Sequence, residues 1–570
     1  MGQPKQKSNT NKTVRTAPLE VAQNAQSITL SPKTLDGSAI DDSLLAKELG
    51  FTGVVDRSKE VFRVSRDSAT YEVSIISDIK LEDYRKITPV DDWILLKKWA
   101  ETMRGKTVVF INPTMEGGGV AMLRPPMVHI LKQLGIDAHW YVMEGQVGDN
   151  GANPFIFTKL MHNILQRQAL PDQRITDDGK AIHQQWNAEN AKVLTAQAPI
   201  RNADIVVIDD PQPAPLINYI KDINPSVKIV WRNHIDTNGD LMADPSTPQG
   251  EISSYLLDVC GVSKADAVIT HPVAAFVHPK LWGKTFFAPA TIEPHDDLNR
   301  ELTPQEITEG IEFINAEIQA KNTTLDDQDK QSLIDTNRCR IGLVARFDES
   351  KGMDKAMAMG VRVRQIMRKA GVPENKLPQV IILGNGSVDD PSGEPMYQKM
   401  LSIRREQYPD DKEDIILMRL RHNYKAMNAL MYPASNYDDA KTPALVAMQT
   451  SEAEGCETRI SDWIRHGVPV VVSNRGGMSL QIIEGESGCV IDFDKPGYDI
   501  EKGAEFISRL MTDRELYASM RKSTQAAADN FNNREFTTTA NVTRWLRVFH
   551  HVFAGTKADK TWKISELIKD

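Results

Sequence analysis

The chain predicts two successive doubly wound α/β domains, each built on a parallel sheet, facing one another across a cleft. Three observations carry this. Short β-branched runs alternate with helical stretches from about residue 101, and the alternation restarts near residue 340 after a polar interval. The first strand, residues 107–111 (TVVFI), runs straight into the glycine cluster Gly117-Gly118-Gly119 and then a helical period. A length of 570 residues suits two large domains with surplus chain, at about 150 residues for a typical domain.

In order along the chain, residues 1–30 are rich in Lys, Asn, Gln, Ser and Thr and predict a disordered tail, too polar to repay the entropy of ordering. They contain no apolar core of a secretory signal, and Gln6 stands where a myristoylation signal needs Ser or Thr after Gly2. Residues 31–100 form an N-terminal extension expected to be small and β-rich, since the alternation over 60–76 suggests an antiparallel hairpin or meander. The first domain is expected over 101–320, with strands at 107–111, 137–143, 205–208, 228–231 and 267–270. Its first helix carries Val120, Leu123, Met127, Ile130, Leu131 and Leu134 at helical spacing, and Pro125 and Pro126 should kink it or delay its start. The polar stretch 321–337 suits a linker. A second domain over 338–535 has strands at 340–345, 380–383, 415–418, 444–448 and 468–472. Residues 536–570 supply a closing helix bearing Val542, Trp545, Leu546, Val548, Phe549 and Val552, long enough to cross a domain boundary. Two such sheets with a linker imply a cleft where ligands bind.

Composition excludes several classes. Apolar residues are 41% and charged residues 25%, ordinary globular usage. A net charge of −9, from 68 basic and 77 acidic residues, disfavours a general nucleic-acid binder. Four dispersed cysteines without a C-x-x-C pair exclude a disulfide scaffold and suit a reducing compartment. No apolar run approaches membrane-spanning length, so the expectation is a soluble cytoplasmic protein with no membrane partner.

Few residues stand out chemically. The Gly117–Gly119 loop offers backbone N–H groups at a helix start to a phosphate or other anion, or it is a tight turn; it lacks G-x-G-x-x-G spacing. Arg346 ends a strand and Lys351-Gly352 follows five residues on, a clamp for phosphate or else solvated surface charge. Gly384-Asn385-Gly386 repeats the small-residue loop after the next strand. In 451–477, Glu454 lies on a loop and Asp462 eight residues on, about two helical turns away, so both carboxylates can face one side and hold sugar hydroxyls. Arg459 and the Arg475-Gly476-Gly477 turn add donors. Asp492-Phe493-Asp494 has the D-x-D spacing of a Mn²⁺ or Mg²⁺ site but reads as a turn with solvated acids, and the twelve histidines form no ligand motif. No metal and no cofactor is expected.

The spacing Arg346…Lys351, Glu454-Gly455…Asp462 and Pro469-Val470-Val471…Gly476-Gly477 resembles the retaining GT-B glycosyltransferases (the GT4-like group) that include sucrose- and trehalose-forming enzymes. The resemblance implies that Arg346 and Lys351 hold a phosphate leaving group, that Glu454 meets the donor sugar, and that the second acid meets a nucleotide ribose. Asp462 departs here, where the family usually has Glu. Gly117-Gly-Gly-Val-Ala121, Thr158-Lys159…His162-Asn163, Asp210-Pro-Gln-Pro213 and Arg232-Asn-His234-Ile-Asp236 look like the trehalose synthase and trehalose phosphorylase branch. Thr270-His271-Pro272, Phe276-Val277, Pro289-Ala290-Thr291, Asp297-Leu298-Asn299 and Glu454-Gly-Cys-Glu457 are similar to the fungal trehalose phosphorylases. The resemblance spans about residues 100–550.

It further implies that His234 contacts the donor sugar; outside this match it would be a histidine with a local partner. Asp210 and Asp236 would hold acceptor glucose hydroxyls, Asp210 being otherwise a turn residue before Pro211. A retaining transfer with no obvious covalent nucleophile needs cations for the departing phosphate, a task that fits Arg346 and Lys351 with the Gly117–Gly119 amides opposite. Two reactions follow. A phosphorylase interconverts trehalose and phosphate with glucose and glucose 1-phosphate; a synthase uses a nucleotide-glucose. The Asp462 change leans toward the phosphorylase, because inorganic phosphate needs no ribose contact. A catalytically silent sugar-binding protein is the alternative of another class. An NAD-dependent oxidoreductase lacks its fingerprint. The expected partners are thus a sugar and a sugar phosphate or nucleotide sugar, with no nucleic acid and no membrane, and a homodimer is admitted.

Overall fold

The computed structural model describes residues 60–115, 119–145, 153–385, 393–433, 442–495 and 498–569. The expected tail 1–30, residues 31–59 of the extension, and Gly117, Gly118 and Gly386 lie outside the described residues.

Two six-stranded, fully parallel sheets organise the chain. The first comprises β3 (Thr107–Asn112), β4 (Asp137–Val142), β5 (Ile205–Asp209), β6 (Lys228–Arg232), β7 (Ala267–Thr270) and β8 (Thr285–Phe287), in the order β4-β3-β5-β6-β7-β8. The second comprises β9 (Arg340–Val344), β10 (Gln379–Asn385), β11 (Ile415–Leu420), β12 (Leu445–Gln449), β13 (Val470–Ser473) and β14 (Gly488–Ile491), in the order β11-β10-β9-β12-β13-β14. Winding reverses between β3 and β5 in one sheet and between β9 and β12 in the other. At such a switch point the loops leaving the strand ends diverge and open a crevice.

Both faces of each sheet are covered, which explains strands that are nearly all apolar. Val109, Ile111, Val206 and Ile208 pack toward Trp186 and Met161, while Val108, Phe110 and Val207 pack toward Met127, Trp545 and Phe549. The helix Gly119–Gln133 starts without delay and continues through Pro125 and Pro126. Its buried face, with Met127, Ile130 and Leu131, holds it on the sheet despite two missing N–H donors.

The chain passes between domains twice. Helix Pro304–Asn322 places Ile311, Ile314 and Ile318 against Val344, Ile381 and Ile416 of the second sheet, so its packing belongs with the second domain and the first passage lies at 288–303. The stretch 321–337 read as a linker begins inside that helix. The last long helix, Thr538–Ala554, returns to the first sheet, where Trp545 and Phe549 meet the Phe110 ring. The two passages touch: the Ile292 N–H donates to Phe536 O at 2.8 Å and the Thr538 N–H to Ile292 O at 3.0 Å.

Ahead of the domains, β1 (Arg63–Arg66) and β2 (Val73–Ile76) form an antiparallel hairpin whose Glu72 bridges Tyr141, covering the edge strand β4. Helices Leu81–Ile87 and Val90–Met103 follow, so the described part of the extension is more helical than β-rich. It fastens onto both passages. Tyr84 donates to Glu293 Oε2 at 3.2 Å, the Val61 N–H to Asp297 Oδ2 at 2.9 Å, and Arg534 pairs with Asp92 at 2.7 Å. Among the described residues, no helix is long and apolar enough to cross a membrane.

Candidate active site

The loops that leave the two switch points carry most of the residues singled out in the sequence. From the first sheet come Gly119 after β3, Asp209 at the end of β5 with Asp210 just after it, and His234 and Asp236 after β6. From the second come Arg346 to Lys351 after β9, and Glu454 and Glu457 after β12. The two sets face each other at close quarters. Lys159 of the first domain forms an ion pair with Asp348 of the second, and a β-carbon on Gly455 would lie 2.2 Å from His234 O.

On the second-domain side, the turn Glu349–Lys351 is built by Asp348, whose Oδ1 accepts from the Ser350 N–H at 2.8 Å and its hydroxyl at 2.7 Å. Gly352 follows at φ +58°, with the Thr450 carbonyl 2.1 Å from where a β-carbon would sit, so only glycine lets the turn settle on the β12 loop. This presents the nearly buried Lys351 ammonium to two carboxylates: Glu454, and Glu457 Oε2 at 2.6 Å. One cation serves two acids. Burial and the Glu457 charge push Glu454 above the usual carboxylate range against the pull of Lys351. Glu457, whose burial is outweighed by Lys351 and Arg459, is held below it. Burial would raise Asp348 as well, but the charges of Lys159 and Arg346 hold it well below its ordinary range.

Glu457 also caps the helix Thr458–Arg465, accepting from the Arg459 N–H. Asp462 lies on that helix, buried and paired with Arg459 Nη1 at 2.5 Å. One helical turn separates them, the spacing at which an Arg and a carboxylate meet. The two carboxylates read together from the eight-residue spacing have different cations: Lys351 for Glu454, and Arg459, whose charge also acts on Glu457, for Asp462. Gly476 and Gly477 brace the Glu454 loop. Gly476, at φ +52°, would put a β-carbon 1.6 Å from Glu454 O, and the Gly477 N–H donates to Gly455 O at 2.9 Å.

On the first-domain side, Gly119 begins a helix and is exposed. His234 sits among fixed partners. Its backbone N–H donates to Asp210 Oδ1 at 2.8 Å, its carbonyl meets His271 Nε2 at 3.0 Å, and its own Nε2 lies 3.0 Å from Asp209 Oδ1. Burial and the nearby Arg232 push His234 down to about 3, so the ring is neutral at ordinary pH. Asp210 adopts φ +68°, a left-handed conformation that Asp tolerates better than most residues, and burial pushes its carboxyl up to about 7. Asp236 pairs with Arg167 at 2.9 Å; burial raises it to about 6 although Arg167 pulls the other way. Arg232, fully buried, reaches His271 Nδ1 at 3.3 Å.

Three residues escaped the sequence reading: Asp209, Asp348, and Arg124 on the Gly119–Gln133 helix, which carry no motif of their own. Lys159 and Glu457 stood only within stretches that resemble the family, with no role assigned to either. Adjacency was the available signal: Asp209 precedes Asp210, and Asp348 lies between Arg346 and Lys351. The D-x-D acids are engaged in turn contacts, Asp492 with Asn474 at 2.7 Å and Asp494 with Arg475 at 2.8 Å.

Comparison with known proteins adds a family model, two relatives and two solved structures. Residues 110–278 match the family model described as trehalose synthase, N-terminal domain. Trehalose phosphorylase from Pleurotus pulmonarius is 31% identical over 97% of this chain and 72% of its own length. Trehalose synthase from Pyrococcus horikoshii is 27% identical over 84% of this chain and 99% of its own. Among solved structures, a UDP-forming α,α-trehalose-phosphate synthase from Burkholderia xenovorans, in complex with glucose-6-phosphate, aligns with TM-score 0.53 at 15% identity, covering 78% of this chain and all of that one. Sucrose-phosphate synthase from Thermosynechococcus elongatus aligns with TM-score 0.52 at 12% identity, over 79% of this chain and all of that one. The two-sheet architecture is thus the GT-B fold.

Proposed function

Because this chain belongs to the trehalose phosphorylase and trehalose synthase family, enzymes of trehalose metabolism that act by glucosyl transfer, we propose that it interconverts trehalose and phosphate with glucose and glucose 1-phosphate, with retention at the anomeric carbon. The observation that carries the choice of phosphate over a nucleotide donor is the Arg459–Asp462 pair. The carboxylate that family resemblance offers to a ribose is buried and neutralised by an arginine on its own helix. Inorganic phosphate has no ribose to bind, so it loses nothing by this.

The rest of the site suits that chemistry. Arg346 and Lys351 supply positive charge for the phosphate, joined by the N–H groups at the start of the Gly119–Gln133 helix across the cleft. Glu454 keeps Lys351 oriented toward the cleft; its raised carboxyl and the ammonium together place donors where a sugar phosphate needs them. His234 meets the donor glucose, while Asp210 and Asp236 stand on the loops that receive the acceptor. In phosphorolysis the C1–O bond of trehalose breaks and a C1–O bond to phosphate forms. The phosphate proton passes to the departing glucose oxygen, so no further co-reactant is needed. The substrates are small sugars and phosphate; the expected cytoplasmic location and any homodimer belong to the same reading.

The test is a substrate panel on the pure protein. Trehalose with phosphate should yield equal amounts of glucose and glucose 1-phosphate, and glucose with nucleotide-glucoses should yield no disaccharide. Disaccharide from a nucleotide donor alone would assign the synthase reaction instead, and sugar binding without turnover of either mixture would leave a silent binding protein.

A further inference from the structure

The contact behind His234 is more elaborate than holding a ring in place requires. Arg124, on the helix Gly119–Gln133, is 1% exposed and grips Asp209 at two points, Nε to Oδ2 at 2.9 Å and Nη2 to Oδ1 at 2.5 Å. Its guanidinium packs against the rings of Phe110 (4.7 Å) and Trp545 (4.9 Å), and its Nη1 meets Met127 Sδ at 3.1 Å, which helps to hold it in place. Asp209 is fully buried at the end of β5. An arginine and a carboxylate placed inside a core add little stability over apolar residues of the same volume, so packing alone does not account for the pair.

Asp209 accepts from Arg124 and meets His234 Nε2 at 3.0 Å on the same oxygen. A carboxylate bound by a guanidinium at two points is ionised and can only accept, so the proton must be on Nε2. Burial, with the charges of Arg232 and Arg124, disfavours a second proton on the ring. What remains is one lone pair, on Nδ1.

We infer that Arg124 and Asp209 are positioning residues that fix His234 in its Nε2–H tautomer, making Nδ1 the acceptor of one donor-glucose hydroxyl. This rests on the reading of His234 as a donor-sugar contact. The pair thereby sets sugar recognition rather than phosphate recognition. The three anchors already described, on the backbone N–H, the carbonyl and Nε2, leave Nδ1 no freedom to become a donor.

The variant that isolates the effect is Asp209→Asn. Arg124 offers only donors, so the amide oxygen must face it and the amide NH₂ must face His234. That pairing demands an accepting Nε2 and shifts the ring proton to Nδ1. Two readouts are taken. The first is the ¹⁵N spectrum of histidine-labelled protein, with His234 assigned by difference from His234→Ala. Wild type should show a protonated Nε2 and Asp209→Asn a protonated Nδ1; a protonated Nδ1 in wild type overturns the inference whether or not the protein turns over sugar. The second is kcat/KM with monodeoxy α-glucose 1-phosphates and glucose. Asp209→Asn should lose about 10- to 100-fold with the parent donor, and at one ring position it should no longer distinguish the deoxy analogue. It should cost nothing further in a His234→Ala background. Full retention of every deoxy penalty, or an undiminished loss in the His234→Ala background, overturns it. Should Asp209→Asn not fold, Asp209→Ala, which removes the acceptor from Nε2, is read by the same two measurements: a mixture of tautomers and a weaker deoxy penalty at one ring position are expected, and a pure Nε2–H ring with every penalty kept overturns the inference. If wild type shows the predicted tautomer and yet does not use glucose 1-phosphate, the proposed function fails and the positioning of His234 stands.

Discussion

Gly455 and His234, one from each domain, meet so closely that a β-carbon on the glycine would stand 2.2 Å from the histidine carbonyl and 2.6 Å from the neighbouring His271 ring. The contact joins the loop carrying Glu454 to the loop carrying His234, so the geometry of the cleft depends on the absence of one methyl group. Gly455→Ala should force the loops apart. The expected result is a loss of more than about tenfold in kcat/KM, with a stability cost of about 1–3 kcal/mol. Steady-state kinetics beside a thermal melt check it; wild-type activity in the alanine variant would show that the contact is not needed in turnover.

Lys351 stands between Glu454 and Glu457, and its removal exposes two effects at once. Lys351→Ala should lower kcat by about 10²–10³ through the lost phosphate charge. It should also destabilise the fold by about 3–5 kcal/mol, because two buried carboxylates lose their cation. Adding Glu457→Gln should recover part of the stability and none of the activity. Denaturant unfolding and initial rates on the same samples separate the two.

The Lys159–Asp348 pair is a charged link across the cleft, with both side chains largely buried. Lys159→Met should weaken the closed arrangement and raise KM by roughly tenfold with a smaller change in kcat. Small-angle scattering should show a larger radius of gyration in the variant. An unchanged KM and radius would mean that the pair contributes nothing to closure.

Glu293 lies in the first interdomain passage, accepts from Tyr84 of the N-terminal extension, and is pushed up by burial to about 7 from an ordinary 4.5. Its raised value means that the folded state holds the proton more tightly than the unfolded chain does. Its stabilising contribution is complete below pH 4.5 and is lost as pH rises through about 7. Glu293→Gln has no such loss. The melting temperature of Glu293→Gln relative to wild type should therefore climb from pH 5 to pH 8, and a difference independent of pH would contradict the assignment.

The repeating parts of the fold were legible because they are periodic. Ten strands stand where β-branched runs placed them, within a few residues at each end, since a doubly covered parallel strand is nearly all apolar. β8, with three residues, is too short to show a pattern. Helix Pro304–Asn322 falls inside the 101–320 first domain expected from sequence, because its apolar stripe fits either sheet; Ile311, Ile314 and Ile318 against Val344 place its packing with the second. At the site, Arg346, Lys351 and Glu454 were picked out by their spacing on strand-end loops, and His234 by the family resemblance of the stretch around it. Asp462 shows the limit. Spacing alone put it beside Glu454, but Arg459, three residues before it, captured the carboxylate instead. Arg124 and Asp209 were missed for a related reason: they sit 85 residues apart, and their pairing exists only after β3 and β5 have come together.

The most direct test of the central claim is ¹H and ³¹P NMR of the pure protein with trehalose and inorganic phosphate. α-Glucose 1-phosphate should appear at the rate of free glucose, one for one, with Arg346→Ala and Lys351→Ala both slowing it by about a hundredfold or more. A mixture that stays silent, while a nucleotide-glucose and glucose give trehalose under the same conditions, would contradict it.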